Sequence, residues 1–367
     1  MMVTEVEARM ALCALTPLGQ PNVVKALARF GAEELWRGFL SQPDTSWGRR
    51  AQAIDLPGLQ RSTERCGSRF IIPGDDEWPS ALAGLATAEV AKQTGEPIGL
   101  WIRGRPLTGL GGGVAIVGSR ACTTYGEHAA VTLAADLAMQ DRPVISGLAF
   151  GVDAAAHRGA LGVRGTTVAV LASGVDEPYP AANSRLADRI IESGGLVSEL
   201  PPGYRPTRYA FLARNRIIAA LADAVIVVEA AARSGAKNTA SWGNSLGRPV
   251  LAVPGPITSS LSSTPHKLIR DGEAILVTCA EDVQAVLSPL GAVAEPTGRG
   301  ASRPIDQLPL PLMEIREAVG SKEHVSAAQL SARTGQAMMD ALANAAELVE
   351  SGWLDEQGGL FSLPARR

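Results

Sequence analysis

Residues 114–120 read VAIVGSR, residues 143–153 read PVISGLAFGVD and residues 166–175 read TTVAVLASGV. Each is a short aliphatic and β-branched run that gives way to Ser and Gly. Short, uninterrupted apolar runs of this kind suit strands buried on both faces. Four more runs are likewise short and apolar, and the set is mostly bounded by Gly, Pro or Asp: Gly195-LVSEL, Ala224-VIVVEA, Pro249-VLAVPG and Ala274-ILVT. Helical patterns separate most of them, at 126–139, 153–161, 183–192, 211–221 and 238–246. Strand alternating with helix predicts an α/β fold: a Rossmann-like, mostly parallel sheet with helices on both faces. In such sheets ligands gather beyond the carboxyl ends of the strands.

Working outward, Ile98-GLWIRG reads as a further strand and Phe70-II as a short apolar run before a turn. Residues 1–68 read as a small helical domain of helix-hairpin-helix or SAM-like type. Residues 69–288 form the Rossmann-like domain. Residues 289–306 carry several Pro and Gly and read as a linker. Residues 307–367 give helix, helix with Ser326 near its cap, turn, helix, then a hairpin around Gly358-Gly359, the order of a winged helix.

The 367-residue chain has a formal net charge of −3, so a nucleic-acid site must be a local patch. The four cysteines, Cys13, Cys66, Cys122 and Cys279, form no CxxC pair. That argues against a disulfide framework or zinc site and for a reducing, cytoplasmic setting. The first residues lack a signal-peptide pattern, and no apolar run is long enough to span a bilayer.

The chemistry gathers at strand ends. After the first strand come Ser119 and Arg120, where backbone N–H groups near a helix start could accept an anion. After the second come Gly147 and Gly151, then Asp153 at a plausible helix cap and His157, which reads as a packing residue. The third loop, Ala172 to Asn183, adds a further Gly-lined edge. Residues 205–216 read RPTRYAFLARNR, with four arginines and no acid between Leu200 and Ala222. Cations beside Tyr209 and Phe211 are what sequence-tolerant binding of single strands needs. Gly111-Gly112-Gly113 precedes its strand and fails the placement of a dinucleotide fingerprint. No P-loop, Ser/His/Asp set or metal cluster appears, so no catalytic residue, metal ligand or cofactor is assigned.

VGSR, SGLAxGVD followed by AAH, ASGVDEPYP, SEL, FLARNRIIA and AVPG occur in this order between about Phe70 and Val283. The set resembles the DprA/Smf family of DNA-processing proteins. The resemblance implies binding of single-stranded DNA, loading of the RecA recombinase onto it in natural transformation or recombination, and a homodimer. By motif position it puts Ser119, Arg120, Gly147 and Gly151 at a phosphate pocket. Arg208, Phe211, Arg214 and Arg216 would grip the strand, with Asn215 fixing the loop. Two stretches depart from the family pattern: SGAKNTA at 234–240 and TPHKLI at 264–269. There Lys237, Lys267 and His266 could supply basic contacts. The alternative from a different class is a nucleotide hydrolase of the lysine-decarboxylase-like, phosphoribohydrolase group. Its PGGxGTxxE motif has no counterpart Glu at the matching place in 229–243. Helix 336–351 and the hairpin carry Asp340, Glu347, Glu350, Asp355 and Glu356 with no Lys or Arg, which predicts protein contacts and not duplex binding.

Overall fold

The computed structural model describes residues 3–15, 18–108, 110–288 and 304–364. Most of the expected linker, 289–303, lies outside them. The chain divides into two compact units, Met1–Ala294 and Glu295–Arg367.

The first unit opens with helices α1 (Glu5–Leu15), α2 (Pro21–Phe30), α3 (Ala32–Leu40), α4 (Ser46–Gln52) and α5 (Leu56–Arg65). Strand β1 (Arg69–Ile71) follows, then a small hairpin of β2 (Glu89–Val90) and β3 (Gln93–Thr94), and β4 (Leu100–Gly104). The alternating region then runs β5 (Val114–Val117), α6 (Thr124–Met139), β6 (Val144–Ser146), α7 (Val152–Gly162), β7 (Thr167–Val170), α8 (Ser184–Ser193) and β8 (Gly195–Ser198). It continues with α9 (Arg208–Leu221), β9 (Ala224–Val227), α10 (Gly235–Ser245), β10 (Val250–Ala252), α11 (Ser263–Arg270), β11 (Ile275–Leu276) and α12 (Ala280–Leu287).

Among the described residues nine strands form one sheet, in the order β1-β4-β8-β7-β6-β5-β9-β10-β11. Strands β8 through β11 in that order pair in parallel, while at one edge β4 pairs antiparallel with both β8 and β1. The pleat sends alternate residues to opposite faces. Val114 and Ile116 pack with Leu133 and Leu137 of α6 on one face. Ala115 and Val117 pack with Ile217 and Ile218 of α9 on the other. Two covered faces explain why these strands read as unbroken apolar runs. At the far edge the rule fails. The run at 274–278 yields only β11, and Ile275 and Leu276 are both exposed.

The N-terminal helices share a core with the sheet. Leu12, Leu15 and Trp36 cluster with Trp101, Leu171 and Leu196, so hydrophobic packing is continuous across residue 68. Trp101 is fully buried and donates its indole N–H to Thr63 Oγ1 at 3.0 Å, tying α5 to β4.

The second unit contains α13 (Leu310–Glu317), β12 (Val325–Ser326), α14 (Ala327–Thr334), α15 (Met338–Glu350), β13 (Asp355–Gln357) and β14 (Leu360–Ser362). Ser326 and Gln329 form a capping box at the start of α14, and Gly335 ends it at φ 73°. The three strands pair in the order β12-β14-β13, around a core that includes Ile315, Leu330, Leu348 and Phe361.

Candidate functional site

From β5 the chain moves outward in one direction through β6, β7 and β8. It then returns by α9 to β9, on the other side of β5, and moves outward the opposite way. The loops after β5 and β9 therefore part, and a crevice opens between them at the carboxyl ends. A cavity of about 710 Å³ lies there. Ser119 and Arg120 line it from the first loop, Arg233 and Ser234 from the second, Asn238 from α10, and Arg208, Phe211, Arg214 and Asn215 from α9.

Helix α9 starts at Arg208 because Thr207 accepts a hydrogen bond from Ala210 N at 3.1 Å. Its first turn presents Arg208 and Phe211 to the cavity, and its next turn enters the core. Arg214 is 7% exposed. Its Nη1 donates to Gly147 O at 2.5 Å and Val170 O at 2.6 Å, and its Nε donates to Asn215 Oδ1 at 3.1 Å. Nη2 lies 3.7 Å from Asp153 Oδ2. A Cβ on Gly147 would fall 1.9 Å from this guanidinium, so only glycine lets Arg214 reach the ends of β6 and β7. Burial pushes the Asp153 carboxyl up, opposed by Arg214, and pushes Arg214 down, opposed by Asp153. Asn215 is held by Asn238 Oδ1 at 3.1 Å.

The phenyl ring of Phe211 organises the cavity mouth. The Arg120 guanidinium lies 4.5 Å from its centroid and that of Arg214 lies 6.0 Å away. Tyr179 meets it edge-on at 5.8 Å. Phe211 is thus a cationic-stacking platform that fixes where Arg120 points. The ring also packs against the cluster of Leu18, Leu200 and Ala213.

The loop before α6 differs from the anion cradle that the sequence suggests. Its amides are met from inside the protein. Thr123 N donates to Glu229 Oε2 at 2.8 Å, Thr123 Oγ1 donates to Glu229 Oε1 at 2.7 Å, and Ser119 N donates to Glu229 O at 2.5 Å. The buried Glu229 carboxylate thus already occupies part of the α6 N-terminus, which favours negative charge there. The positive charge left to the cavity comes from arginine side chains.

Six of the sequence-derived residues meet at the cavity: Ser119, Arg120, Arg208, Phe211, Arg214 and Asn215. Gly147 and Gly151 stand one step behind. Gly151 has φ 72°, and a Cβ there would lie 2.2 Å from Ser119 O, so it shapes the loop without lining the cavity. Arg216 is a correction. It is fully buried, with Nη2 2.8 Å from Glu199 Oε1, Nε 3.1 Å from Gly95 O and Nη1 3.0 Å from Ala213 O. No surface remains on it for a ligand. Lys237 and Lys267 do not line the cavity either, and Lys267 pairs with Asp271, the residue that follows its helix. Asp153 is not an N-cap: α7 begins at Val152 after Gly151, and Asp153 accepts from Ala149 N at 3.3 Å. Arg233 was missed. It follows β9, on the far side of the reversal in strand order, where the switch-point rule alone directs attention.

His157 is fully buried beside this region. Its Nδ1 lies 2.7 Å from Thr167 Oγ1, which itself donates to Val144 O at 2.7 Å. Nδ1 must therefore carry the proton, and Nε2 faces no hydrogen-bond donor. Burial, with the charges of Arg214 and Arg158, pulls its pKa down to about 3, so the ring packs as a neutral group.

Residues 69–288 match the family described as DNA recombination-mediator protein A. The chain is 51% identical over 247 residues to a putative DNA processing protein DprA of Mycobacterium tuberculosis, covering 66% of this chain and 62% of that protein. It is 38% identical over 291 residues to the Smf protein of Escherichia coli, covering 78% and 75% of the two chains. The crystallographic structure of DprA from Streptococcus pneumoniae superposes with a TM-score of 0.64 at 33% identity, covering 78% of this chain and 98% of that one. DprA from Helicobacter pylori, described for its single-stranded DNA binding mode, superposes with a TM-score of 0.52 at 27% identity, covering 60% and 95%.

Proposed function

The chain belongs to the DNA recombination-mediator protein A family, and from that premise we propose that it binds single-stranded DNA at the switch-point cavity. The observation that carries this reading is the meeting of Arg120, Arg208 and Arg233 with Phe211 at one crevice, where the buried Arg214 ties together the ends of β6 and β7. Arginines neutralise phosphates and release counterions, while stacked planar groups accept bases of any identity. Asn215, Asn238 and Ser234 add polar groups to the cavity lining. The role is binding and not catalysis: the buried acid Asp153 faces Arg214, and His157 is a neutral packing group. Fluorescence anisotropy with labelled oligo-dT, alongside a nucleotide-turnover assay, tests this directly. Saturable binding without turnover is expected, and turnover without binding overturns it.

We further propose that the bound strand is handed to the RecA recombinase in the cytoplasm, as family membership suggests. A recombinase-loading assay with a competing single-strand-binding protein tests this: faster filament formation is expected, and no acceleration contradicts it. A homodimer is part of the same reading. Edge strand β11 exposes Ile275 and Leu276, and Ile257 is 92% exposed. An unpaired apolar edge is a ready surface for a second copy. Light scattering that finds only monomer at micromolar concentration contradicts it. The element order of residues 307–367 supports a winged helix whose acidic third helix does not engage duplex DNA.

A further inference from the structure

We propose that the groove between α15 and the β13–β14 hairpin docks a basic amphipathic helix of a partner protein. The proposal is independent of the DNA reading above, because it rests on the second compact unit alone. Helix α15 has two apolar stripes. Ala341, Ala345 and Leu348 face the core and are fully buried. Met339, Leu342 and Ala346 recur at helical spacing on another, exposed face, and Val349, which also packs against the core, continues the line. Met339 is 73% exposed and Leu342 42% exposed. Leu342, Ala346 and Val349 line a cavity of about 460 Å³, closed on the far side by Phe361 and Gly359 of the hairpin. A second stripe beside a groove is more than the fold of this unit requires.

The rim selects the occupant. Glu350 and Glu356 stand at the groove, and between residues 336 and 362 there are five acids and no Lys or Arg. An apolar floor with a rim of one sign calls for an apolar stripe flanked by Lys or Arg. Nucleic acid is disfavoured because this surface repels phosphate. A second copy of this unit is disfavoured because a two-fold contact would place like charges together. Strand addition is disfavoured because both edges of this sheet are short: β12 has two residues, and β13 has three and carries Asp355 and Glu356. The 13 residues of α15 span about 20 Å, which matches three to four turns of a partner helix.

The test uses the full chain and three labelled peptides of about 15 residues, long enough to cover α15. One carries Leu at i, i+3, i+7 and i+10 with Lys elsewhere. The second replaces Lys by Glu. The third scrambles the first. Saturable binding of the first is expected, with the scrambled and acidic peptides weaker by about ten-fold or more. Leu342→Asp, at an exposed position, should weaken binding by a similar factor, with circular dichroism confirming the fold. Glu350→Lys combined with Glu356→Lys should shift preference to the acidic peptide. Equal binding of the scrambled peptide would reduce the effect to bulk charge and overturn the proposal. It is also overturned if neither variant changes binding, if duplex DNA competes for the groove, or if Leu342→Asp abolishes self-association seen by light scattering without peptide.

Discussion

The guanidinium of Arg120 rests 4.5 Å from the centroid of the Phe211 ring, at the mouth of the cavity between the β5 and β9 loops. The two residues come from different elements, the loop after β5 and the first turn of α9. The ring therefore sets the direction of a charge that the loop alone would leave free. Phe211→Ala should weaken oligo-dT binding by about 1–3 kcal/mol, the usual worth of a stacking side chain. Arg120→Ala should cost a similar amount, and the double variant less than the sum, because each residue acts through the other. Anisotropy titrations of the three variants give the cycle, and strict additivity would separate the two residues functionally.

Salt dependence distinguishes cavity cations from bystanders. Arg208→Ala and Arg233→Ala should each lower the slope of log affinity against log salt by about 0.7 per lost phosphate contact. Lys267→Ala should leave it unchanged, since Lys267 pairs with Asp271 away from the cavity. A slope that falls for Lys267→Ala and holds for Arg208→Ala would move the site.

Arg216 serves the fold. Arg216→Ala should destabilise the protein by about 3–5 kcal/mol, because it strands Glu199 in the core without its partner. Chemical denaturation measures the loss. A variant that keeps its denaturation midpoint but loses oligo-dT binding would contradict the assignment.

Much of the fold is legible in the sequence, because strands covered on both faces must be apolar throughout. The helix starts are less legible. Helices α9 and α10 each begin three residues before their apolar patterns, since Thr207 and Ser234 cap them. The arginine segment shows the deeper limit. Arg208, Arg214 and Arg216 look equivalent in a stretch without local acids. Arg214 and Arg216 are buried against Asp153 and Glu199, acids outside that segment that meet them only through the fold, while Arg208 stays exposed. For the same reason the sequence does not show Glu229 to be the anion that occupies part of the α6 N-terminus.

His157 should make stability depend on pH. Its folded pKa of about 3 lies below its ordinary value, so the unfolded chain takes up a proton first as pH falls. The contribution is complete above about pH 6.5 and is lost progressively down to about pH 3. The slope approaches about 1.4 kcal/mol per pH unit for one proton. Tm measured between pH 7 and 5 should fall less steeply in His157→Gln than in the parent protein. Identical slopes would mean that the ring is not a buried neutral group.

The central claim is that single-stranded DNA is held by the arginine cluster at the switch point. The most direct measurement is the affinity of labelled oligo-dT for the parent protein and for Arg120→Ala combined with Arg233→Ala, with a duplex of matched length as competitor. Loss of two phosphate contacts predicts affinity weaker by about ten-fold or more at moderate salt, with a duplex competing poorly against the parent protein. Unchanged affinity in a folded double variant, or equal competition by the duplex, would contradict the account.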